Sequence, residues 1–163
     1  MQDLTLTKDK GFENKLNIET KLVTIIDTSI PKLRNIIQKA ESPVIIQGGD
    51  EKINRLALEN KKVDILLSPE KNNKKDSLFF RNSGLNQVLC KLAKKNDISI
   101  GFNFSDLLNT ESKERTKILG RMFQNARLCK KYKVNMVFTT LAKNKYELRS
   151  KAILDSFKRV IIL

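Results

Sequence analysis

The segment SPVIIQGGDEKINRLALENKKVDILLSPE, residues 42–70, decides the fold. Two short apolar runs, residues 44–47 and 63–67, have the length and the β-branched content of buried strands. Between them Asp50 can cap a short helix with one apolar face. A strand, a helix and a second strand in this order are typical of a βα unit in a parallel sheet.

The same alternation continues on both sides of this segment. Further candidate strands, each a short β-branched or apolar run, lie at residues 22–26, 98–104, 134–139 and 160–163. The spacing of apolar residues predicts further helices over residues 31–40, 85–93 and 111–133. Six strands that alternate with helices place the chain in the α/β class.

The chain is too short for a complete eightfold barrel. Such a barrel takes roughly 250 residues, whereas this chain has 163. We therefore expect one α/β domain over residues 1–163 with a parallel-sheet, TIM-barrel-like fold that is incomplete at the N-terminus. Residues 1–20 have no clear period and are assigned neither a helix nor a strand. The open edge can be covered by these residues or by a partner, and an open doubly wound sheet is the alternative.

Composition and charge restrict the class of function. The 32 basic and 18 acidic residues give a net charge of +14, which favours nucleic acid as a partner over an acidic membrane surface. The chain has no histidine, which excludes the usual histidine-dependent hydrolases and zinc sites. No apolar run approaches the ~20 residues of a membrane helix. Two cysteines and no recognisable signal peptide indicate a cytoplasmic protein.

Carboxylates at strand ends are the candidates for catalysis. Asp27, Asp50 and Glu70 each follow a predicted strand, where barrel enzymes place catalytic groups, and three convergent carboxylates could hold Mg²⁺. A metal-dependent barrel hydrolase that uses carboxylates is therefore one function the sequence allows. Asp27 and Asp50 also precede predicted helices, where aspartate has an ordinary capping role. No residue is therefore assigned to catalysis or to a metal.

Two cationic segments are candidates for binding nucleic acid. The loop of residues 68–83 combines lysines and Arg81 with Phe79 and Phe80. These rings could stack on an unpaired base or turn inward to close the barrel rim. The helix over residues 111–133 has eight basic and two acidic residues, and its predicted outward face is almost purely cationic. An ordinary solvated face, whose charge serves only solubility, is the alternative.

Several motifs, in order along residues 44–163, resemble one known family. They are Gln47-Gly48-Gly49-Asp50 with Ile53-Asn54-Arg55, residues 63–67 with Pro69-Glu70, Arg81-Asn82-Ser83-Gly84-Leu85-Asn86, residues 125–132, and Leu148-Arg149-Ser150. On these residues the chain is similar to ribonuclease P protein component 3, the archaeal and eukaryotic 30-kilodalton-type subunit. It differs from the family at Asn82, where an aspartate is common, and at Gln87, where a histidine is common.

The resemblance implies a barrel-like fold and a place in ribonuclease P, the RNA-based endonuclease that removes the 5′ leader from precursor tRNA. Catalysis would belong to the RNA, with Mg²⁺ expected for that RNA and no cofactor in this chain. The expected partners are the ribonuclease P RNA, precursor tRNA, ribonuclease P protein component 2 and other protein subunits, with no membrane.

Nine residues are predicted to carry this function. Phosphate contacts are expected from six cations: Arg81, Lys91, Lys117, Arg121, Arg127 and Arg149. Hydrogen bonds that organise the loops at strand ends are expected from Arg55, Asn86 and Asn125.

Overall fold

The computed structural model describes residues 2–163 as a parallel β-barrel surrounded by helices. Its strands are β1 (Asp3–Thr5), β2 (Thr20–Leu22), β3 (Ile25–Ile26), β4 (Ile45–Gln47), β5 (Ile65–Leu67), β6 (Ser99–Asn103) and β7 (Met136–Thr139). Its α-helices are α1 (Lys10–Leu16), α2 (Ile30–Lys39), α3 (Glu51–Glu59), α4 (Gln87–Lys95), α5 (Phe104–Leu108), α6 (Ser112–Tyr132) and α7 (Lys151–Ile162), and a 3₁₀ helix spans Lys145–Glu147. Within residues 2–163, no helix has the length and apolar character needed to cross a membrane.

All paired strands run parallel. Strands β3 to β7 form a five-stranded sheet in chain order, and β1 pairs with β2 in a second sheet. In the larger sheet one row of apolar residues crosses all five strands, and it consists of Ile26, Ile46, Leu66, Ile100 and Met136. This row faces the surrounding helices, because all five side chains belong to the core between the sheet and the helices.

The first residues close the ring of strands. The Leu141 N–H donates to the Leu4 carbonyl oxygen (3.0 Å), and the Leu6 N–H donates to the Ala142 carbonyl oxygen (3.0 Å). These bonds join β1 to the chain just after β7. Residues 20–26 carry both β2 and β3, so this one segment connects β1 to β4. The result is a TIM-barrel-like ring whose open edge is covered by the chain's own N-terminal residues, which is one of the predicted arrangements.

Two apolar cores lie on the two sides of the barrel wall. The inner core fills the ring and consists of Val23, Ile45, Ile65, Leu67 and Leu141, with Leu4, Leu6, Ile25 and Val137 packed against them. The outer core lies between strands and helices and is larger. Because both faces of the strands are buried, β4 and β5 appear in the sequence as continuous apolar runs rather than as alternating patterns.

Two predictions about the strands are wrong. Residues 160–163, predicted as a strand, lie at the end of α7 and beyond it, because Phe157 and Ile161 are one turn apart on its buried face. The Phe157 ring also packs against Phe104, with ring centroids 4.7 Å apart. The predicted strand over residues 22–26 is two short strands that pair with different neighbours.

Candidate nucleic-acid interface

Residues 68–86 connect β5 to α4 and are called the β5–α4 loop below. The loop leaves the carboxyl end of a strand, where parallel barrels present their functional loops. It contains no helix or strand, and such a loop can be mobile unless its polar backbone groups find partners. Here those partners come from α6 and from the loop itself.

Arg121 of α6 is the anchor of the loop. Its Nη1 donates to the carbonyl oxygens of Glu70 (3.0 Å) and Asn72 (2.9 Å), and its Nη2 donates to that of Lys74. Nε and Nη2 also donate to Oδ1 of Asp76, at 2.9 and 2.7 Å. The arginine side chain is fully buried. The prediction that Arg121 faces solvent and contacts phosphate is therefore wrong, because its guanidinium is bonded to the protein.

The Asp76 carboxylate compensates the charge of this anchor. Burial alone would raise the pKa of Asp76. Hydrogen bonds from Arg121 and from the Asn82 N–H, together with the charges of Arg121 and Lys117, outweigh burial and hold the pKa of Asp76 below its ordinary value. The carboxylate is therefore ionised beside the guanidinium. Arg121 is buried and Asp76 is partly exposed, and removal of the carboxylate would leave the buried guanidinium without its counter-charge.

Two amide side chains of α6 hold the second half of the loop. Asn125 Nδ2 donates to the carbonyl oxygen of Ser83 (2.8 Å). Gln124 Nε2 donates to the carbonyl oxygen of Arg81 (3.0 Å) and to the hydroxyl of Ser83 (3.0 Å). Asn125 is thus placed where its predicted loop-organising role requires it.

The end of the loop is tied to α3 by Asn54, a residue not predicted from the sequence. The Gly49 N–H donates to Asn54 Oδ1 (2.9 Å), and Asn54 Nδ2 donates to the Gly84 carbonyl oxygen (3.1 Å). Gly84 has a φ of +80°, and a Cβ there would lie 1.9 Å from the carbonyl oxygen of Pro69. Glycine is therefore required at this close approach.

The structure does not support the predicted loop-organising role of Arg55. Its Nε pairs with Glu59 one turn further along α3 (2.8 Å), and its side chain is largely exposed. Asn54 could have been found instead, because it precedes the buried residues Ala57 and Leu58 by three and four positions and so shares their face. A polar residue on a buried helix face normally has a specific hydrogen-bond partner.

A cavity of about 370 Å³ opens between the loop, α4 and α6, and its walls include Phe80, Arg81 and Asn86. Asn86 caps α4, since its Oδ1 accepts from the Leu89 N–H (2.9 Å). Arg81 lies against α6, where a Cβ on Gly120 would be 2.9 Å from its Nε. The cavity therefore combines an exposed guanidinium, an amide and an aromatic ring.

The three carboxylates considered for a metal site do not converge. Asp27 and Asp50 line a cavity of about 480 Å³ at the barrel mouth, which also contains the ion pair between Lys71 and Asp106 (3.2 Å). Glu70 does not line this cavity and is fully buried. In the part of the chain that the structure describes, no group of three histidine, cysteine, aspartate or glutamate side chains is arranged to hold a metal ion.

Glu70 is a buried partner of Asn125. Its Oε2 accepts from Asn125 Nδ2 at 3.3 Å. Glu70 Oε1 and Asn125 Oδ1 have no hydrogen-bond partner among the described residues. Burial raises the pKa of Glu70 to about 7, against smaller opposing effects of hydrogen bonds from the backbone and from Asn125. A protonated carboxyl has an O–H donor, which a carboxylate does not have.

Four of the predicted phosphate-binding residues lie on the side formed by the β5–α4 loop, α4 and α6. Lys91 on α4 and Arg127 on α6 are exposed on two helices that pack together. Arg81 is exposed beside Gly120. Lys117 is half-buried on α6 and pairs with Glu114 (3.1 Å). We refer to Arg81, Lys91, Lys117 and Arg127 as the cationic face.

Arg149 lies away from the cationic face. It lines a separate cavity with Asp3 and Glu19, and its Nη1 donates to the carbonyl oxygens of Tyr146 (2.6 Å) and Leu148 (2.8 Å). The six cations predicted to bind phosphate therefore do not form one surface. Contact of Arg149 with RNA stays a prediction for a second surface.

The apex of the β5–α4 loop is apolar and exposed. Leu78 and Phe79 have 91% and 92% of their surface exposed, and Phe80 has 60%. Two hydrogen bonds close the turn that carries them, from the Ser77 N–H to the Phe80 carbonyl oxygen (2.9 Å) and from the Phe80 N–H to Ser77 Oγ (3.1 Å). The alternative in which these phenylalanines close the barrel rim is wrong, because both face solvent.

Known proteins similar to this chain match most of its length. The family model described as RNase P subunit p30 matches residues 20–161. Ribonuclease P protein component 3 of Methanosarcina mazei is 36% identical over 144 residues, which are 86% of this chain and 55% of that protein. The same component of Methanocaldococcus jannaschii is 35% identical over 143 residues, which are 86% of this chain and 59% of that protein. The chain thus spans little more than half the length of these relatives.

A solved structure agrees with the sequence comparisons. A chain in a cryo-EM structure of archaeal ribonuclease P with mature tRNA matches with a TM-score of 0.73 and 28% identity, covering 99% of this chain and 72% of that chain. The family model, the relatives and the solved structure therefore point to the same family. This chain belongs to the RNase P subunit p30 family.

Proposed function

We propose that this chain is a protein subunit of ribonuclease P, where it supports the catalytic RNA that removes the 5′ leader from precursor tRNA. The RNA carries out the cleavage and binds the Mg²⁺, and this chain contributes no catalytic residue. The observation that carries the proposal is the cationic face, three of whose four residues are exposed, on a fixed loop and two packed helices in a member of this family.

The cationic face suits phosphate contacts rather than chemistry. Its members are arginine and lysine side chains, which can position an RNA backbone through its phosphates. These side chains are protonated at neutral pH, so they cannot accept a proton from a reacting group. The loop that carries Arg81 is held by Arg121 and Asn125, so it does not have to become ordered when RNA binds. These features support a role in bracing a folded RNA.

The proposed partners follow from the family and from the solved relative. They are the ribonuclease P RNA, precursor tRNA, ribonuclease P protein component 2 and other protein subunits. The support is that the matched chain comes from archaeal ribonuclease P with mature tRNA. A net charge of +14 suits assembly around a polyanion.

Reconstitution tests the proposal directly. Cleavage of precursor tRNA is measured for the ribonuclease P RNA with the other protein subunits, with and without this chain, at limiting Mg²⁺. We expect this chain to stimulate cleavage only when the RNA is present. Cleavage by the purified chain alone, or no effect on the reconstituted reaction, would contradict the proposal.

Salt dependence tests the electrostatic part. Four phosphate contacts, at about 0.7 per contact for single strands, predict a log–log slope of affinity against salt of roughly −3. The double variant Lys91→Gln, Arg127→Gln should make this slope shallower by about 1.4. A matched control, Lys32→Gln with Lys39→Gln on α2, removes the same charge from exposed positions on another helix. Equal slopes for both double variants would remove the cationic face from the mechanism.

A further inference from the structure

We propose that the apex of the β5–α4 loop is a stacking platform for unpaired bases of RNA, with Phe79 as the stacking ring and Lys75 and Arg81 as flanking phosphate contacts. This inference rests on the proposed function and adds the kind of RNA element that the loop binds. The apex is exposed, is held in place by hydrogen bonds and is flanked by positive charge.

The exposure of the apex is unusual for an apolar segment. Leu78, Phe79 and Phe80 are consecutive, and each has well over half of its surface in water. Single exposed apolar residues are common on protein surfaces, whereas contiguous ones usually mark a binding site. Phe79, at 92% exposure, has almost its whole ring available to a partner.

The apex is also held in place. Hydrogen bonds between Ser77 and Phe80 close its turn. Below the turn, Asp76 is bonded both to Arg121 and to the Asn82 N–H (2.8 Å). The aromatic ring therefore sits on a base fixed to α6, and little backbone freedom is lost when a partner binds to it.

The charge around the apex favours RNA over a protein partner. Lys75 and Arg81 flank the three apolar residues, and their side chains make no hydrogen bond or ion pair within residues 2–163. The nearby carboxylates are already engaged, since Asp76 bonds to Arg121 and Glu51 pairs with Lys74 (2.6 Å). Exposed aromatic rings between uncompensated cations are the combination that binds single-stranded nucleic acid.

Only an unpaired base can use this platform. In a duplex the base faces are stacked on one another, whereas bases in loops and bulges can be splayed out onto aromatic side chains. A cation on each side of Phe79 can then contact the phosphates that precede and follow the stacked base. The cavity beside the apex, lined by Phe80, Arg81 and Asn86, leaves room for the neighbouring nucleotide.

Tryptophan fluorescence tests the proposal, because the chain contains no tryptophan. In the full-length variant Phe79→Trp the new indole is the only one, and stacking on a base quenches its emission. The probes are a fluorescein-labelled single-stranded RNA of mixed sequence and the same strand annealed to its complement. Binding is followed separately by the anisotropy of the label. The control is Leu22→Trp, at an exposed position on β2.

We expect the single strand to quench the indole of the Phe79→Trp variant, the duplex to quench it much less, and neither to quench the indole of the control. A substitution series then separates stacking from apolar contact. Phe79→Tyr should keep the affinity for the single strand, whereas Phe79→Leu and Phe79→Ala should weaken it by about 5- to 100-fold. The apex is solvent-exposed, so circular dichroism should show all variants folded.

Three other results would each refute a specific claim. RNA binding by anisotropy with unchanged indole emission from Phe79→Trp would refute the stacking platform and leave the proposed function intact. Equal affinity of Phe79→Leu and the natural chain would show that the ring face is not used and that the apex contacts a protein subunit or nothing. If the anisotropy showed no RNA binding by either tryptophan variant, both the platform and the proposed function would be refuted.

Discussion

Replacing Glu70 with glutamine should remove a pH dependence from the stability of this protein. Glu70 is fully buried and pairs with Asn125 through only one carboxyl oxygen, while Glu70 Oε1 and Asn125 Oδ1 have no partner among the described residues. Burial, the largest effect, raises the pKa of Glu70 from 4.5 to about 7. A glutamine has nearly the same shape, stays neutral at every pH and has both an N–H donor and an oxygen acceptor.

The sign and size follow from the two pKa values. Between pH 4.5 and about 7 the folded protein holds a proton on Glu70 that the unfolded chain has released. The contribution of this group to stability is therefore fully present below pH 4.5 and is lost as the pH rises through about 7. At about 1.4 kcal/mol per unit of pKa, the total loss is about 3 kcal/mol.

Urea unfolding of the natural chain and of Glu70→Gln, across pH 4 to 9 at roughly unit steps, measures this effect. Other titrating groups are common to both proteins, so they cancel in the difference between the two free energies of unfolding. We expect the variant to gain up to about 3 kcal/mol relative to the natural chain as the pH rises through the window. Parallel stability curves for the two proteins, with no change in their difference, would refute the buried, proton-binding Glu70.

Three further changes test the anchors of the β5–α4 loop. Arg121→Met leaves Asp76 without its buried partner and should lower the free energy of unfolding by about 3 to 5 kcal/mol. Hydrogen exchange in residues 68–83 should become faster. Slow exchange in these residues would show that Arg121 does not anchor the loop. Asn54→Ala leaves two backbone groups unpaired and should cost about 2 kcal/mol or more, whereas the adjacent control Arg55→Ala should change stability by less than about 0.5 kcal/mol in the same urea titrations. Gly84→Ala should lower the thermal midpoint through its positive φ and its overlap with the Pro69 carbonyl oxygen; an unchanged midpoint would disprove the close approach.

Helices α2, α3, α4 and α6 could be predicted from periodicity, whereas α1, α5, α7 and the closure of the barrel were not predicted. Helices α2, α3, α4 and α6 lie where the apolar spacing placed them, because one face of each packs on the strands. Strand β1 has three residues and depends on distant partners. The Asp3 carboxylate accepts from the Thr139 hydroxyl (2.7 Å) and the Thr140 N–H (2.9 Å), 136 and 137 residues away. Local spacing carries no information about such contacts.

The site could be predicted only in part, and Arg121 shows why. Its charge suggested an outward position, but it follows Ile118 by three residues and precedes Asn125 by four, so all three share the buried face of α6. The spacing therefore contained the correct placement. Its partner Asp76 lies 45 residues earlier, in a loop without periodicity, so the ion pair itself could not be inferred from the sequence pattern.

Several charged groups at the barrel mouth are engaged by other groups of the same chain. In barrel enzymes the loops at the carboxyl ends of the strands carry the reacting groups. Here Lys71 pairs with Asp106, Asp50 accepts from the first N–H groups of α3, and Glu70 is buried. Because Arg121 fixes the β5–α4 loop to α6, a partner that binds this loop does not have to spend binding energy on ordering it.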